Sequence, residues 1–245
     1  MATASRPPLP RSGAARVRAI CRHLKDHGSP EHAAGVQWFF KEAVRSYGWY
    51  TAPLRAYARM VHRELAPDPA MLLEVADALF ARPVLEEKIV GVAILQPSLR
   101  RFGTAEFRRF ERWLAHVSSW ADHDALAMVL LGPMMADDPA RAGRVFTWAR
   151  ADDRWHRRAA AVSLIHGVRR GLFTGEATRI THALADDDDD MVQKGLGWLL
   201  REWGKVRPGE TEPLLLEIRD WTSRLVLRTA CERLPAAARA RVLAR

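Results

Sequence analysis

A charged residue followed by small apolar ones recurs along this 245-residue chain at a nearly constant interval. The five members are Lys88-Ile-Val-Gly-Val, Asp124-Ala-Leu-Ala-Met, Arg158-Ala-Ala-Ala-Val, Lys194-Gly-Leu-Gly-Trp and Arg228-Thr-Ala-Cys-Glu, spaced 36, 34, 36 and 34 residues apart. A weaker sixth, Arg55-Ala-Tyr-Ala, lies 33 residues before Lys88. A period in the mid-thirties without strand-like alternation belongs to stacked helix pairs, because each pair has an apolar face that only the next pair can cover. The chain is therefore expected to be an all-α solenoid of antiparallel helix pairs. Its register residues should share one concave face.

Punctuation divides the chain accordingly. Glu31 to Ala43 reads as a helix with Val36, Phe39, Phe40 and Ala43 on one face. Pro53 is placed to open the next helix, and Pro83 precedes the register helix from Val84 to about Leu95. Pro133 should end or kink the helix that starts at Trp120, and Pro139 opens another. Asp152 and Asp153 cap the helix carrying Arg158, and the run Asp186 to Asp190 reads as a capping loop rather than a metal site. The last two pairs are expected over Gly175 to Trp203 and Pro213 to about Arg245. Thirteen or fourteen helices are expected, forming one domain over residues 14–245 behind a disordered N-terminal tail, residues 1–13.

Asp124 breaks the pattern, since the register position is basic at every other member. On a helix Trp120 and Asp124 share a face, and Ala127 and Leu131 continue that line, so the carboxylate lies along an otherwise buried stripe. Capping accounts for Asp122, but Asp124 lies too far into the helix for it. One acid in a ladder of bases points to chemistry. Arg158, aligned with Ala161, Val162 and Ile165, needs an acceptor at a buried edge, either a protein carboxylate or a phosphate. Arg154 crowds the same turn, and Lys194, Trp198 and Arg201 share another face. Gly195 and Gly197 beside Trp198 allow a second surface to approach closely.

A net charge of +9 favours an anionic partner, and only five of the 38 basic residues are lysines. Cys21 and Cys231 are expected to be unpaired thiols in a reducing cytosol. No apolar run is long enough for a membrane span. His23 and His27 have i,i+4 spacing but lack a clustered third ligand, so no metal is expected. The chain contains no Walker loop, dinucleotide fingerprint or Gly-x-Ser-x-Gly elbow, which leaves no expected cofactor.

Three segments together resemble the bacterial DNA alkylation repair family, the AlkD-like group of HEAT-like DNA glycosylases. They are Ser119-Trp-Ala-Asp-His-Asp124, Trp155-His-Arg-Arg158-Ala-Ala and Val192-Gln-Lys-Gly-Leu-Gly-Trp198-Leu-Leu-Arg201-Glu202. Tyr47-Gly-Trp-Tyr-Thr-Ala-Pro-Leu-Arg55 is similar to the family's N-terminal Gly-x-x-x-Pro turn. The resemblance covers roughly residues 30 to 235. It implies HEAT-like repeats, with Asp124, Trp120 and Trp198 as the active site and Arg158 supporting the DNA backbone beside the lesion. Arg154, Lys194, Arg201 and Lys88 join Arg158 as expected DNA contacts. The implied activity is excision of N3- or N7-alkylated purines from duplex DNA, with the lesion left stacked and no cofactor. The implied protein is a monomer of the bacterial cytoplasm, associated with the nucleoid. The pattern departs from the family at Ala121 and His123, where an acid and a small apolar residue are usual.

The chemistry suits these residue types. A cationic alkylpurine is already a good leaving group, so a single carboxylate can stabilise the sugar cation and orient water. Indole faces attract a cationic base. Two alternatives stay open: a non-catalytic HEAT-like binder of damaged or branched DNA, and a protein-binding helical scaffold.

Overall fold

The computed structural model describes residues 8–244. Among these the chain is all-α, with sixteen α-helices joined by short 3₁₀ segments and turns. The sole sheet-like feature among them is an isolated parallel bridge between Arg45 and Val84. No described helix is long and apolar enough to cross a membrane. Of the expected tail 1–13, residues 1–7 lie outside the described residues. Pro8 to Ser12 are irregular, with the Leu9 N–H donating to Glu64 at 2.7 Å. The chain clusters into two compact units, residues 1–125 and 126–245.

The first unit holds α1 (Gly13–Asp26), α2 (Pro30–Val36), α3 (Thr51–Leu65), α4 (Pro69–Phe80), α5 (Leu85–Ala93), α6 (Thr104–Glu111) and the start of α7 (Trp120–Leu126). Its core is built at helical spacing from Ile20 and Leu24, Val61 and Leu65, Val75 and Leu79, with Val90 of α5 between them. α4 packs on both α1 and α5, and α3 also packs on α5. The turn before α3 is pinned by buried Glu86, whose carboxylate accepts from the Ser46 hydroxyl at 2.6 Å. It also accepts from the N–H groups of Tyr47, Gly48 and Trp49 at 2.9, 3.0 and 3.2 Å. Gly48 sits there at φ 79°, in the left-handed region. A Cβ on it would lie 2.0 Å from the Ser29 carbonyl oxygen.

The expected helix from Glu31 to Ala43 stops at Val36 instead, followed by a 3₁₀ turn over Gln37–Phe39 and an irregular stretch. The Gln37 amide decides this. Its Nε2 donates to the carbonyls of Phe40 (3.2 Å) and Glu42 (2.8 Å), and its Oε1 accepts from the Val44 N–H at 2.9 Å. These bonds satisfy the backbone in a non-helical path. As a result Trp38 and Phe39 point outward, although the periodicity places Phe39 on a buried face.

The second unit holds α8 (Gly132–Asp137), α9 (Val145–Trp148), α10 (Arg154–Val162), α11 (Ile165–Val168), α12 (Thr174–Leu184), α13 (Asp190–Val206), α14 (Pro208–Ile218), α15 (Arg224–Ala230) and α16 (Ala236–Leu243). Between α7 and α8, residues Ala127–Leu131 form a π turn, closed by the Gly132 N–H donating to the Ala127 carbonyl. Pro133 lacks an N–H, and its ring crowds the carbonyl four residues back. The widened turn just before it carries the helix on to Asp137, where a clean stop was an equal expectation. Pro213, expected to open a helix, lies inside α14, which starts five residues earlier at Pro208. α12 and α13, separated at the Asp186 to Asp190 capping run, match the pair expected over Gly175 to Trp203.

α13 is the spine of this unit. It packs against α10 on one side and α15 on the other, so the register residues Arg158, Lys194 and Arg228 lie on successive neighbouring helices. Gly195 and Gly197 do let a second surface approach closely, and that surface belongs to the chain itself. A Cβ on Gly195 would meet Arg158 Cγ at 3.1 Å, and one on Gly197 would meet Thr229 Cβ at 2.7 Å. The glycines admit the chain's own helices, α10 and α15.

Candidate functional site

Asp122, the third residue of α7, reaches back over the helix start. It accepts from the N–H groups of Ser118 (2.9 Å) and Ser119 (2.7 Å), and from both serine hydroxyls. This is the capping geometry its position suggests. The buried carboxylate also faces Lys88 Nζ of α5 at 3.6 Å. The ammonium itself donates to the carbonyls of Phe80, at 3.1 Å, and His116. Burial pushes the Lys88 pKa below its ordinary value, and Asp122 draws it partly back.

Lys88, expected on the DNA-facing surface, is thus 2% exposed inside the first unit. Its charge is answered by Asp122, so it ties α5 to the start of α7. Its partners here are Asp122 and two backbone carbonyls, at the wall of a cleft it lines with Arg45, Arg82 and His116.

Two residues on, Asp124 retains 20% exposure of its side chain. His123 is fully buried, and its Nδ1 lies 2.7 Å from Asp124 Oδ1. Nδ1 is a donor in imidazolium and in one neutral tautomer, so the ring orients the carboxylate and stabilises its charge. In the sequence His123 stood out only as a departure from a family pattern; nothing there disclosed its contact with Asp124. Trp120, one turn earlier on the same face, is half-buried. Its ring stacks on Phe40 with centroids 5.0 Å apart and planes 19° apart, and its Nε1 donates to the Phe39 carbonyl at 3.3 Å. The Gln37–Phe40 segment therefore holds the indole in place, a role that the helical reading of 31–43 concealed.

In the second unit, Arg158 is buried, and its Nη1 donates to the Met191 carbonyl at 2.6 Å, where the chain enters α13. Arg154 lies 3.4 Å from Asp189 and 4.7 Å over the Trp155 ring. Lys194 meets Asp190 at 3.2 Å. Arg201 meets Glu232 at 2.8 Å and Glu202 at 3.3 Å. Trp198 is half-buried on α13 and Arg228 is exposed on α15. Arg154, Lys194 and Arg201 thus already have acidic partners, which sequence position alone does not disclose. Exposed ion pairs contribute only about 0–1 kcal/mol, so exchanging a carboxylate for a phosphate costs little.

Arg157 takes a structural part, clamping Asp187 at 2.6 Å and the Asp152 carbonyl at 2.6 Å. The acidic run behaves as a cap: Asp189 accepts from the N–H groups of Met191 and Val192 at 2.8 and 3.3 Å. Among the described residues no group of three or more His, Cys, Asp or Glu side chains is arranged to hold a metal ion.

Neighbouring helices in register, glycine-mediated close packing and the absence of strands among the described residues define an all-α protein of stacked helix pairs. Within that class, a family model described as DNA alkylation repair enzyme matches residues 20–234, and the chain belongs to that family. Among solved structures, a predicted DNA alkylation repair enzyme from Enterococcus faecalis has a similar fold, with a TM-score of 0.78. It is 20% identical, over 85% of this chain and 97% of that one, a level at which the likeness concerns fold alone. No curated protein matches the sequence.

Proposed function

We propose that this chain is a DNA glycosylase that excises cationic N3- or N7-alkylated purines from duplex DNA, using neither metal nor cofactor. The observation that carries the reading is Asp124: a partly exposed carboxylate held by a buried histidine at 2.7 Å, one helical turn from a fixed tryptophan, in a chain of the DNA alkylation repair family. Cleavage of the N-glycosidic bond leaves positive charge on the sugar. Asp124 stabilises that charge and orients the water that attacks it, while the departing purine is neutralised by leaving. Trp120 and Trp198 offer indole faces to the cationic base and its sugar. Arg158, Arg154, Lys194 and Arg201 supply positive charge for the phosphates, with Arg158 acting through the entry to α13 that it braces.

The test is single-turnover release of 3-methyladenine or 7-methylguanine from a methylated duplex, with equilibrium binding measured in parallel. Asp124→Asn should slow release by about 10²–10³ while affinity holds or rises, because a negative charge facing phosphates has gone. Equal release by wild type and Asp124→Asn would refute the assignment. Binding without release from any alkylated duplex would favour a non-catalytic DNA binder.

A further inference from the structure

Trp38 is 90% exposed and Phe39 75% exposed, on a 3₁₀ turn that is held from several sides. The Gln37 amide ties the turn to Phe40, Glu42 and Val44. Trp120 holds Phe39 by its carbonyl and Phe40 by its ring. Farther on, the Arg45 carbonyl accepts from the Leu85 N–H at 2.9 Å, anchoring the segment to α5. Two large aromatic faces left in water on an anchored backbone mark an interaction surface rather than a fold defect. The chain leading away from this ledge borders a cleft lined by Arg45, Arg82, Lys88, His116 and Ser118 among others, with Lys88 already facing Asp122.

We infer that Trp38 and Phe39 form a stacking ledge for an unpaired nucleobase, with the strand's phosphate drawn toward the cleft at Arg45. This rests on the DNA-binding part of the proposed function and adds a contact that part does not need. Flat apolar faces on a segment that runs on to a basic cleft fit a nucleotide, whose base stacks on an aromatic ring while its phosphate seeks a cation. A protein partner's apolar side chains would have no use for the basic border. The Phe39 carbonyl and the Phe40 ring both meet Trp120, so the ledge belongs to the segment that holds the indole assigned to the lesion. A base displaced or left unpaired beside an alkylated purine would have a place to go.

The experiment compares binding of a fully paired duplex with one carrying a single unpaired adenine, for wild type, Trp38→Ala, Phe39→Ala and Arg45→Ala, across a salt series. Both aromatic positions are exposed, so their variants should fold as wild type does. Trp38→Ala should lose affinity for the unpaired-base duplex on the order of tenfold to a hundredfold, and far less for the paired one, with an unchanged salt slope because no charge is removed. Arg45→Ala should lower the slope by about one unit on both duplexes. Equal losses on both duplexes, or none on either, would overturn the ledge while leaving DNA binding intact. Wild type binding neither duplex would overturn both readings. A wild-type dimer that Trp38→Ala converts to monomer, with DNA affinity unaltered, would reassign the patch to self-association.

Discussion

Replacing Lys88 with methionine separates two roles that its sequence position leaves indistinguishable. The ammonium is 3.6 Å from Asp122, both groups are buried, and it donates to two backbone carbonyls. At that separation the attraction is roughly 4–5 kcal/mol for an effective dielectric near 20, set against a desolvation penalty of several kcal/mol for each ion. The intact pair is therefore worth little net. Removing one member is a different matter: it strands a buried charge, which typically costs about 3–5 kcal/mol. Asp122 would keep its hydrogen bonds from Ser118 and Ser119, which places the loss toward the lower end, about 3 kcal/mol. For a protein of this length that corresponds to a melting temperature lower by roughly 6–12 °C.

Thermal and urea unfolding of wild type, Lys88→Met, Asp122→Asn and the double variant measure this directly. The double variant should recover a large part of the loss, because no uncompensated charge remains. DNA affinity of Lys88→Met at low temperature should keep the wild-type salt slope. A destabilisation below about 1 kcal/mol, or strictly additive single variants, would refute the buried-pair argument. A salt slope reduced by about one unit would mean that Lys88 reaches a phosphate after all.

His123→Leu, which keeps the volume and removes the donor to Asp124, should slow base release on the order of tenfold to a hundredfold with little change in DNA affinity. His123→Asn, which can place an amide donor near the Nδ1 position, should restore part of that rate; failure of Asn to outperform Leu would show that the ring only fills space. Glu202 is buried, which by itself raises its pKa, but hydrogen bonds from Lys205 (2.6 Å) and Arg169 (2.9 Å) outweigh burial and hold it below the ordinary 4.5. Its contribution is therefore complete above pH 4.5 and is lost as pH falls through the depressed folded value. Glu202→Gln should be destabilised by roughly 1–2 kcal/mol at pH 7, with the gap to wild type closing in acid; a gap constant down to pH 3 would contradict this. Gly48→Ala combines a left-handed backbone with a backbone clash at the Ser29 carbonyl and should cost roughly 2–4 kcal/mol, read as a lower denaturation midpoint; a neutral effect would mean the turn relaxes freely.

Local rules account for much of what the sequence determined on its own. Helical class follows from the repeat period. Several helix starts follow from side chains that need only their own next few residues, such as Asp153 accepting from the His156 N–H and Asp189 from the Met191 N–H. Asp124 was legible as the odd member of a basic register, and Asp122 as a cap, because both judgements compare positions along one helix. The tertiary structure decided matters that depend on partners far along the chain. A lysine at a register position reads the same whether it meets solvent or an aspartate 34 residues away; only packing of α5 against the start of α7 buries Lys88. The stretch 31–43 has good helical periodicity, yet Gln37 finds three backbone partners ahead of it, the helix ends, and two aromatic rings face water. Gly195 and Gly197 announced a close approach without saying by what, since the approaching atoms come from residues 158 and 229. Periodicity records which face of a helix is apolar. Which surface meets that face, and which charge is left to answer another, is settled by non-local packing that no local window contains.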